Sequence, residues 1–515
     1  MRVKSPTTGD FNFSQLAIDQ IERIEIVRGP QSTLYGADAI GGVVHIITKR
    51  GKGPPTASLH LQGGNFETHR EQFSLSGGDK WLDYSLAGSA FESGGQFKND
   101  DSEQQALTAR LGLILPRDGR LSLSARYAKS SSDVPVDRSI TTPPFFVLDP
   151  DTQQQNELTT LSLQWSQKPV AWYGVDLRFG QLWNQFGSQD PLTPGIDTRQ
   201  TISQINTRRR EFELVNHFHA AKWNTLSVGL EHRNERGRNR GTFREEINVQ
   251  SAFVQDEVRL FDRLFLSGGV RLEDNDVFGS ETTPRAGAVY LVRSWGTRLR
   301  GSWGEGFRAP TLNDLFFPGF GNPDLRPERS ESWDAGVEQK LWQDRIRLGF
   351  TYFRNSFEDL IQILRVGATF TGQNVARART EGIEFTSEVD LLDTLLVTLN
   401  YTFTDTDNLG TGLPLRRFAR HRWNAGLSWD PVRALNLFVQ ANVVSSQFEA
   451  VGFPRNPGYH RLDAGGTYRL FEKRGAFPAL DLTLRVQNLT DQEYSELFGF
   501  RALGINFLAG LQARY

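Results

Sequence analysis

The sequence predicts an all-β fold, a transmembrane antiparallel β-barrel of about 22 strands. Three observations carry this. Apolar and polar residues alternate with period two through nearly the whole chain after residue 55. Short connectors alternate with long polar ones, and aromatic residues stand near the strand ends.

The alternation is clearest in five segments. In 121–127, Leu121, Leu123, Ala125 and Tyr127 oppose Ser122, Ser124 and Arg126. In 345–352, Ile346, Leu348, Phe350 and Tyr352 oppose Arg345, Arg347, Gly349 and Thr351. Segments 395–403, 482–487 and 507–515 repeat the pattern. An arginine facing lipid at mid-depth costs roughly 2–4 kcal/mol. Arg126, Arg347, Arg485 and Arg514 therefore face away from the apolar phase. A soluble sandwich shows the same alternation, so the connectors must decide.

The short connectors include 77–80, 116–120, 261–263, 342–344, 391–394 and 431–434. The long ones are 129–157, 185–207, 233–248, 304–330, 354–379 and 446–459, rich in Gly, Pro and Ser. A membrane barrel has this rhythm, with tight turns at one rim and long loops at the other. Trp81, Trp165, Trp183, Trp223, Trp295, Trp303, Trp333, Trp342, Trp423 and Trp429 suit headgroup-level girdles beside the short turns. A barrel this wide is too broad to fill with its own side chains and calls for a plug.

Composition narrows the function. The chain has 515 residues, 58 Lys and Arg against 60 Asp and Glu, a net charge of −2 and no cysteine. Near-neutrality argues against a nucleic-acid partner. The lack of cysteine excludes disulfide scaffolds, thiol catalysis and cysteine-held zinc. No run of 18 apolar residues is present, and Met1-Arg2-Val3-Lys4-Ser5-Pro6 does not open a signal peptide. No residue set demands a cofactor or a metal.

Residues 1–55 differ from the remainder, which places a separate N-terminal unit before a barrel at 56–515. Short apolar strands are expected at Ile24–Val27 and Val43–Thr48. Gly29, Gly36, Gly41 and Gly42 between them permit backbone that a Cβ forbids, and Pro30 fixes a turn.

The string IERIEIVRGPQSTLYG followed by AIGGVVHIITK resembles the C-terminal part of the plug of TonB-dependent outer-membrane receptors. Its motif residues are Arg28, Gly29, Pro30, Tyr35, Gly36, Gly41 and Gly42. The stretch 304–338 (GEGFRAPTLNDLFFPGFGNPDLRPERSESWDAGVE), TEGIEFTSEV (380–389) and RVQNLTDQEY (485–494) resemble barrel signatures of that family. Phe507, Leu511 and Tyr515 resemble the C-terminal signal read by the barrel-assembly machinery. The start enters the plug in its middle, so the chain reads as a truncated or split product or a fragment of a longer precursor.

The resemblance implies no enzyme but active uptake of a scarce nutrient across the outer membrane of a Gram-negative bacterium. It implies TonB as the partner of the full-length form, and iron–siderophore or cobalamin as the metal-chelate substrate. Alternatives are a passive pore, a non-functional truncated barrel, or a haem receptor. Haem receptors of the family typically place a histidine between the two boxes, and 309–322 has none.

The resemblance and strand parity also propose contacts. Glu384 falls on the lumen face, and Arg28 is expected to dock on it or on Glu338. Phe316, Phe317 and Phe320 would either anchor a large ligand or pack their own loop. His217 and His219 read as lumen polar groups near the short-turn rim, with His421 and His460 near the long-loop rim as weaker ligand candidates. The basic stretch 233–246 would meet lipopolysaccharide or an anionic siderophore, or be a solvated loop. Asp100, Asp101 and Glu103 offer oxygen ligands but too few for a calcium site.

Overall fold

The computed structural model describes residues 3–5, 7, 9, 11, 13, 16, 21–134, 151–192, 200–366 and 369–515. Portions of the long connectors expected at 129–157 and 185–207 lie outside these residues, at 135–150 and 193–199. Among the described residues, 22 antiparallel strands close into one barrel.

Closure is made by the two ends of the barrel sequence. The last strand, Asn506–Arg514, pairs with the first, β3 (Thr56–Gly64), from Leu508↔Gly64 to Arg514↔Ser58. The seam is tight. A Cβ on Gly510 would lie 2.2 Å from the Leu61 carbonyl oxygen, and one on Gly64 2.1 Å from that of Phe507. Glycine here lets two backbones approach within ladder distance.

The faces follow the sequence pattern. Leu123, Phe350, Leu484, Phe507 and Leu511 are exposed on the outer wall. Arg126 reaches the plug residue Phe11, Arg347 meets Glu388, and Arg514 meets Asp481, whose carboxylate is fully buried. The tryptophans form two girdles rather than one beside the short turns. Trp81, Trp223, Trp295 and Trp342 mark the short-turn side, whereas Trp183, Trp303, Trp333 and Trp423 mark the opposite border. From Trp333 to Trp342 the chain covers about 30 Å, or ~23 Å of height at a tilt of ~40°. That matches an apolar band of about 25 Å.

Two expected loops are largely strand. Asn224–Asn239 and Phe243–Leu260 leave only 240–242 between them, and Ile346–Val366 and Thr369–Leu392 leave 367–368. Beyond the hydrocarbon the outer face meets water, so apolar alternation is lost while ladder bonding continues. Composition rich in Arg, Asn and Gly hides such strands.

The N-terminal unit lies in the lumen as a two-stranded sheet, β1 (Ile21–Arg28) and β2 (Gly42–Thr48), with a one-turn helix α1 (Ser32–Tyr35) between them. Gly29 and Gly36 adopt positive φ, and a Cβ on Gly42 would lie 2.6 Å from the Val27 carbonyl oxygen. Gly41 differs from expectation. It has an ordinary φ and open space around it.

The seam yields a prediction. Gly510→Ala, which puts a methyl into the Leu61 backbone, is expected to abolish the compact, heat-modifiable band in cold SDS electrophoresis. Gly63→Ala, whose nearest neighbour is 3.9 Å away, should keep it.

Candidate functional site

The plug is seated by polar contacts. Ser32 and Thr33 of α1, with Gln31 just before it, are buried against the wall. Thr33 donates to the Thr283 carbonyl at 2.9 Å, and the Phe307 amide donates to Ser32 Oγ at 3.3 Å. The Asp38 amide donates to the Phe307 carbonyl at 2.9 Å, and Ser330 donates to the Ile40 carbonyl at 3.1 Å. Gly306 makes room for this seat. A Cβ there would stand 3.0 Å from Pro30 and 3.1 Å from Ser32 Oγ. Tyr35 lies within electrostatic reach of Arg285 on the wall.

Arg28 forms an ion pair with Glu384, while Glu338 is held by Arg298 at 3.2 Å and Arg300 at 3.5 Å. All five side chains line one lumen cavity of about 1050 Å³, which extends to Trp223 at the short-turn rim. Arg28 is 65% exposed within it, so its pair is screened by water.

A stronger electrostatic feature was missed in the sequence reading. Arg209, Glu211, Glu231, Arg233, Glu235, Arg271 and Glu273 are all buried on the lumen side of three strands. The strands are Thr201–Ala221, Asn224–Asn239 and Leu264–Asn275. Arg271 donates to Glu231 at 2.8 Å and to Glu273 at 3.1 Å. Arg233 donates to Glu273 at 3.1 Å, and Arg209 pairs with Glu235 at 2.6 Å. The plug adds Lys4, which pairs with Asp38 and lies within electrostatic reach of Glu235, Arg209 and Arg233. Burial holds the Lys4 ammonium below its ordinary value against the opposing pull of Asp38. Such ions tolerate burial only with mutual pairing. The signal was present as alternate Arg and Glu in RRREFE, LEHRNER and RLED, and it becomes meaningful only when the register aligns them.

The long-loop mouth is capped from above. Thr311 and Asp314 form a reciprocal cap at the start of α2 (Leu312–Phe316). Arg308 donates to both Glu328 oxygens, at 2.7 and 2.6 Å, which pins the loop's two stems. Leu312, Leu315 and Leu325 bury against Phe243, Ile247 and Val249. Phe316 and Phe317 pack onto this cluster, and Phe317 stacks on Phe320 at 4.7 Å. The loop also touches the plug, where the Asn313 amide donates to the Thr7 carbonyl at 3.4 Å.

The remaining candidates have local partners. His217 bonds Asp176 at 3.1 Å and Ser227 at 2.9 Å, and His219 bonds Thr225 at 3.1 Å. His421 bonds the Tyr401 hydroxyl at 2.9 Å. By register with Tyr401, Trp423 and Val443, His421 and His460 stand on the outer wall, off the lumen. Asp100 accepts from the Gln96 amide at 2.9 Å and so shapes a turn. Phe507, Leu511 and Tyr515 form an exposed outer stripe beside the closing seam.

A closed 22-strand barrel with a lumenal plug and a capped mouth is a plugged outer-membrane receptor. Residues 94–489 match the β-barrel model of TonB-dependent receptors, and residues 1–43 match the receptor plug-domain model. The chain belongs to the TonB-dependent receptor family, whose members are receptors and transporters of the Gram-negative outer membrane rather than enzymes. Over 96% of its length it is 26% identical to the vitamin B12 transporter BtuB of Photobacterium profundum, covering 80% of that protein. Over 97% it is 27% identical to an iron-regulated outer membrane virulence protein of Vibrio cholerae, again covering 80%. The ferric enterobactin receptor of Pseudomonas aeruginosa superposes with a TM-score of 0.82 at 19% identity, covering 98% of this chain and 86% of the other.

Burial ranks the ionic contacts. Arg271→Met leaves the buried Glu231 and Glu273 carboxylates to share the single guanidinium of Arg233 and is expected to cost about 3–5 kcal/mol. Arg28→Ala, in its wet cavity, should cost at most ~1 kcal/mol. Urea titration of protein folded into lipid vesicles measures both, and similar midpoints for the two variants would contradict this ranking.

Proposed function

We propose that this chain is the barrel and the C-terminal part of the plug of an energy-coupled receptor that carries a scarce metal chelate, an iron–siderophore or cobalamin, across the outer membrane. The observation that carries the reading is a plug seated by hydrogen bonds and ions instead of an apolar core. Each such neutral bond is worth roughly 0.5–1.5 kcal/mol net, because water replaces it on release. A plug held this way stays closed at rest yet yields to a pull relayed by TonB. The names of the vitamin B12 and iron-regulated relatives support the substrate class.

In this reading the loop capped by α2 and the plug apex meet the chelate from outside. Displacing the α1 knuckle from Gly306 and Thr283 would connect the mouth to the cavity beside Arg28 and Glu384. Arg28 and Glu384 tether β1 without locking it. The outer stripe at Phe507, Leu511 and Tyr515 serves the barrel-assembly machinery. A second reading, a passive pore, draws support from the cavity on the short-turn side.

Uptake decides between them. In cells lacking their own receptors, the full-length form is expected to accumulate labelled ferric siderophore or cyanocobalamin only when TonB and the proton-motive force are intact. Equal accumulation without TonB, together with a steady open conductance in planar bilayers, would establish the pore instead.

A further inference from the structure

The outer wall carries a basic depression that transport does not use. We infer that it is a binding site for the phosphorylated headgroup of a lipid in the outer leaflet. The depression has a volume of about 640 Å³ and is lined by Trp183, Arg208, Arg236, Arg238, Arg244 and Glu246, among others. It spans the strands Tyr173–Asp190, Thr201–Ala221, Asn224–Asn239 and Phe243–Leu260.

Register and burial fix which way these side chains point. Trp183, Arg208, Arg236 and Glu246 form one row across the four strands, and Gln185, Asn206, Arg238 and Arg244 form the next. From Gly229 to Asn239 burial alternates, with Glu231, Arg233 and Glu235 buried inward and Leu230, His232, Arg236 and Arg238 exposed outward. The arginines thus turn their backs on the lumen and on any route to the plug. A soluble chelate on its way through the barrel does not pass them.

Depth fixes the class of ligand. Below the rows, towards the short-turn rim, the same columns carry Phe179, Phe212, Leu214, Leu230 and Val254. These are the outer apolar band. Arg210 follows directly above it, then the two arginine rows, about 6.6 Å apart. Trp183 stands at the border, where tryptophan marks the headgroup level, and the Arg208 guanidinium lies 5.9 Å from its ring. Phosphates of outer-leaflet lipids occupy this depth.

Charge supplies the recognition. Five arginines (208, 210, 236, 238 and 244) share the outward register with one carboxylate, Glu246, which Arg236 binds at 2.9 Å, while Glu245, the other acidic residue of the lining, falls in the opposite register. Among the described residues Arg210, Arg238 and Arg244 have no acidic partner. Like charges crowded on adjacent strands repel unless an anion lies between them. Guanidinium forks match phosphate oxygens in bidentate fashion, and several set close together suit a headgroup with more than one phosphate.

The test uses the intact chain in zwitterionic detergent, with diphosphorylated lipid A as the probe, read by native mass spectrometry and by Trp183 fluorescence. Wild type is expected to retain lipid A, to bind monophosphorylated lipid A at least tenfold more weakly, and to be unaffected by millimolar inorganic phosphate. The combined variant R208Q/R236Q/R238Q/R244Q should lose at least tenfold in affinity while keeping its heat-modifiable band. Arg420→Gln, an arginine elsewhere on the ring that pairs with Asp405, should bind as wild type does. Unchanged affinity in the fourfold variant would overturn the assignment. So would displacement of lipid A by inorganic phosphate or by a ferric siderophore, which would mark a generic anion site. Neither outcome bears on the transport reading, because the site lies outside the lumen.

Discussion

Every backbone N–H and C=O that crosses hydrocarbon must find a partner within the protein. In this chain that requirement is met at one seam, where Asn506–Arg514 lies against Thr56–Gly64. Without it the sheet has two open edges in lipid. Closure dictates the rest. It sorts side chains into outward and inward sets, makes the lumen wide enough to need a plug, and places the start of the barrel sequence beside its end. Glycines at 64 and 510 belong to this constraint, not to flexibility.

The lumen then creates a second problem. Its wall is polar, so a plug cannot be held there by an apolar core. The structure holds it with hydrogen bonds around α1 and with the Arg28–Glu384 pair, and the ion pairs of the lumen come in two grades. The Arg28–Glu384 pair stands in a wet cavity, whereas the Arg233–Arg271–Glu231–Glu273 cluster is dry. The dry cluster lies wholly on the barrel wall, with the plug residues Lys4 and Asp38 at its edge. The wall is therefore built rigidly, and the parts that must part are joined weakly. Among the described residues the buried apolar cluster sits at the mouth, where the α2 loop packs its leucines against Phe243 and Val249.

The sequence made the barrel legible because lipid imposes an unambiguous rule on alternate residues. Leu121 to Tyr127 and Phe507 to Tyr515 declare their faces without any knowledge of their neighbours. Where lipid ends, the rule ends. Strands at 224–260 and 346–392 continue well past the apolar band, and their polar residues read as loops. The site was less legible. The knuckle QSTLYG is visible as a motif, yet its partners Thr283 and Phe307 lie 250 and 275 positions away. In the sequence Phe316, Phe317 and Phe320 read either as a ligand anchor or as loop packing, and only the structure shows Phe316 and Phe317 on the Phe243 cluster with Phe320 stacked on Phe317.

What the sequence determined is period and polarity: strand after strand, with one face for lipid and one for water, and a glycine-marked hairpin before them. Those are local properties, fixed by the energy of each side chain in its solvent. What only the tertiary structure decided is partnership. Arg233 meets Glu273 across 40 positions, and the arginines of the outer wall gather from separate strands into one depression. Ion pairs depend on separation in space, and the ladder register sets that separation only once the ring is closed.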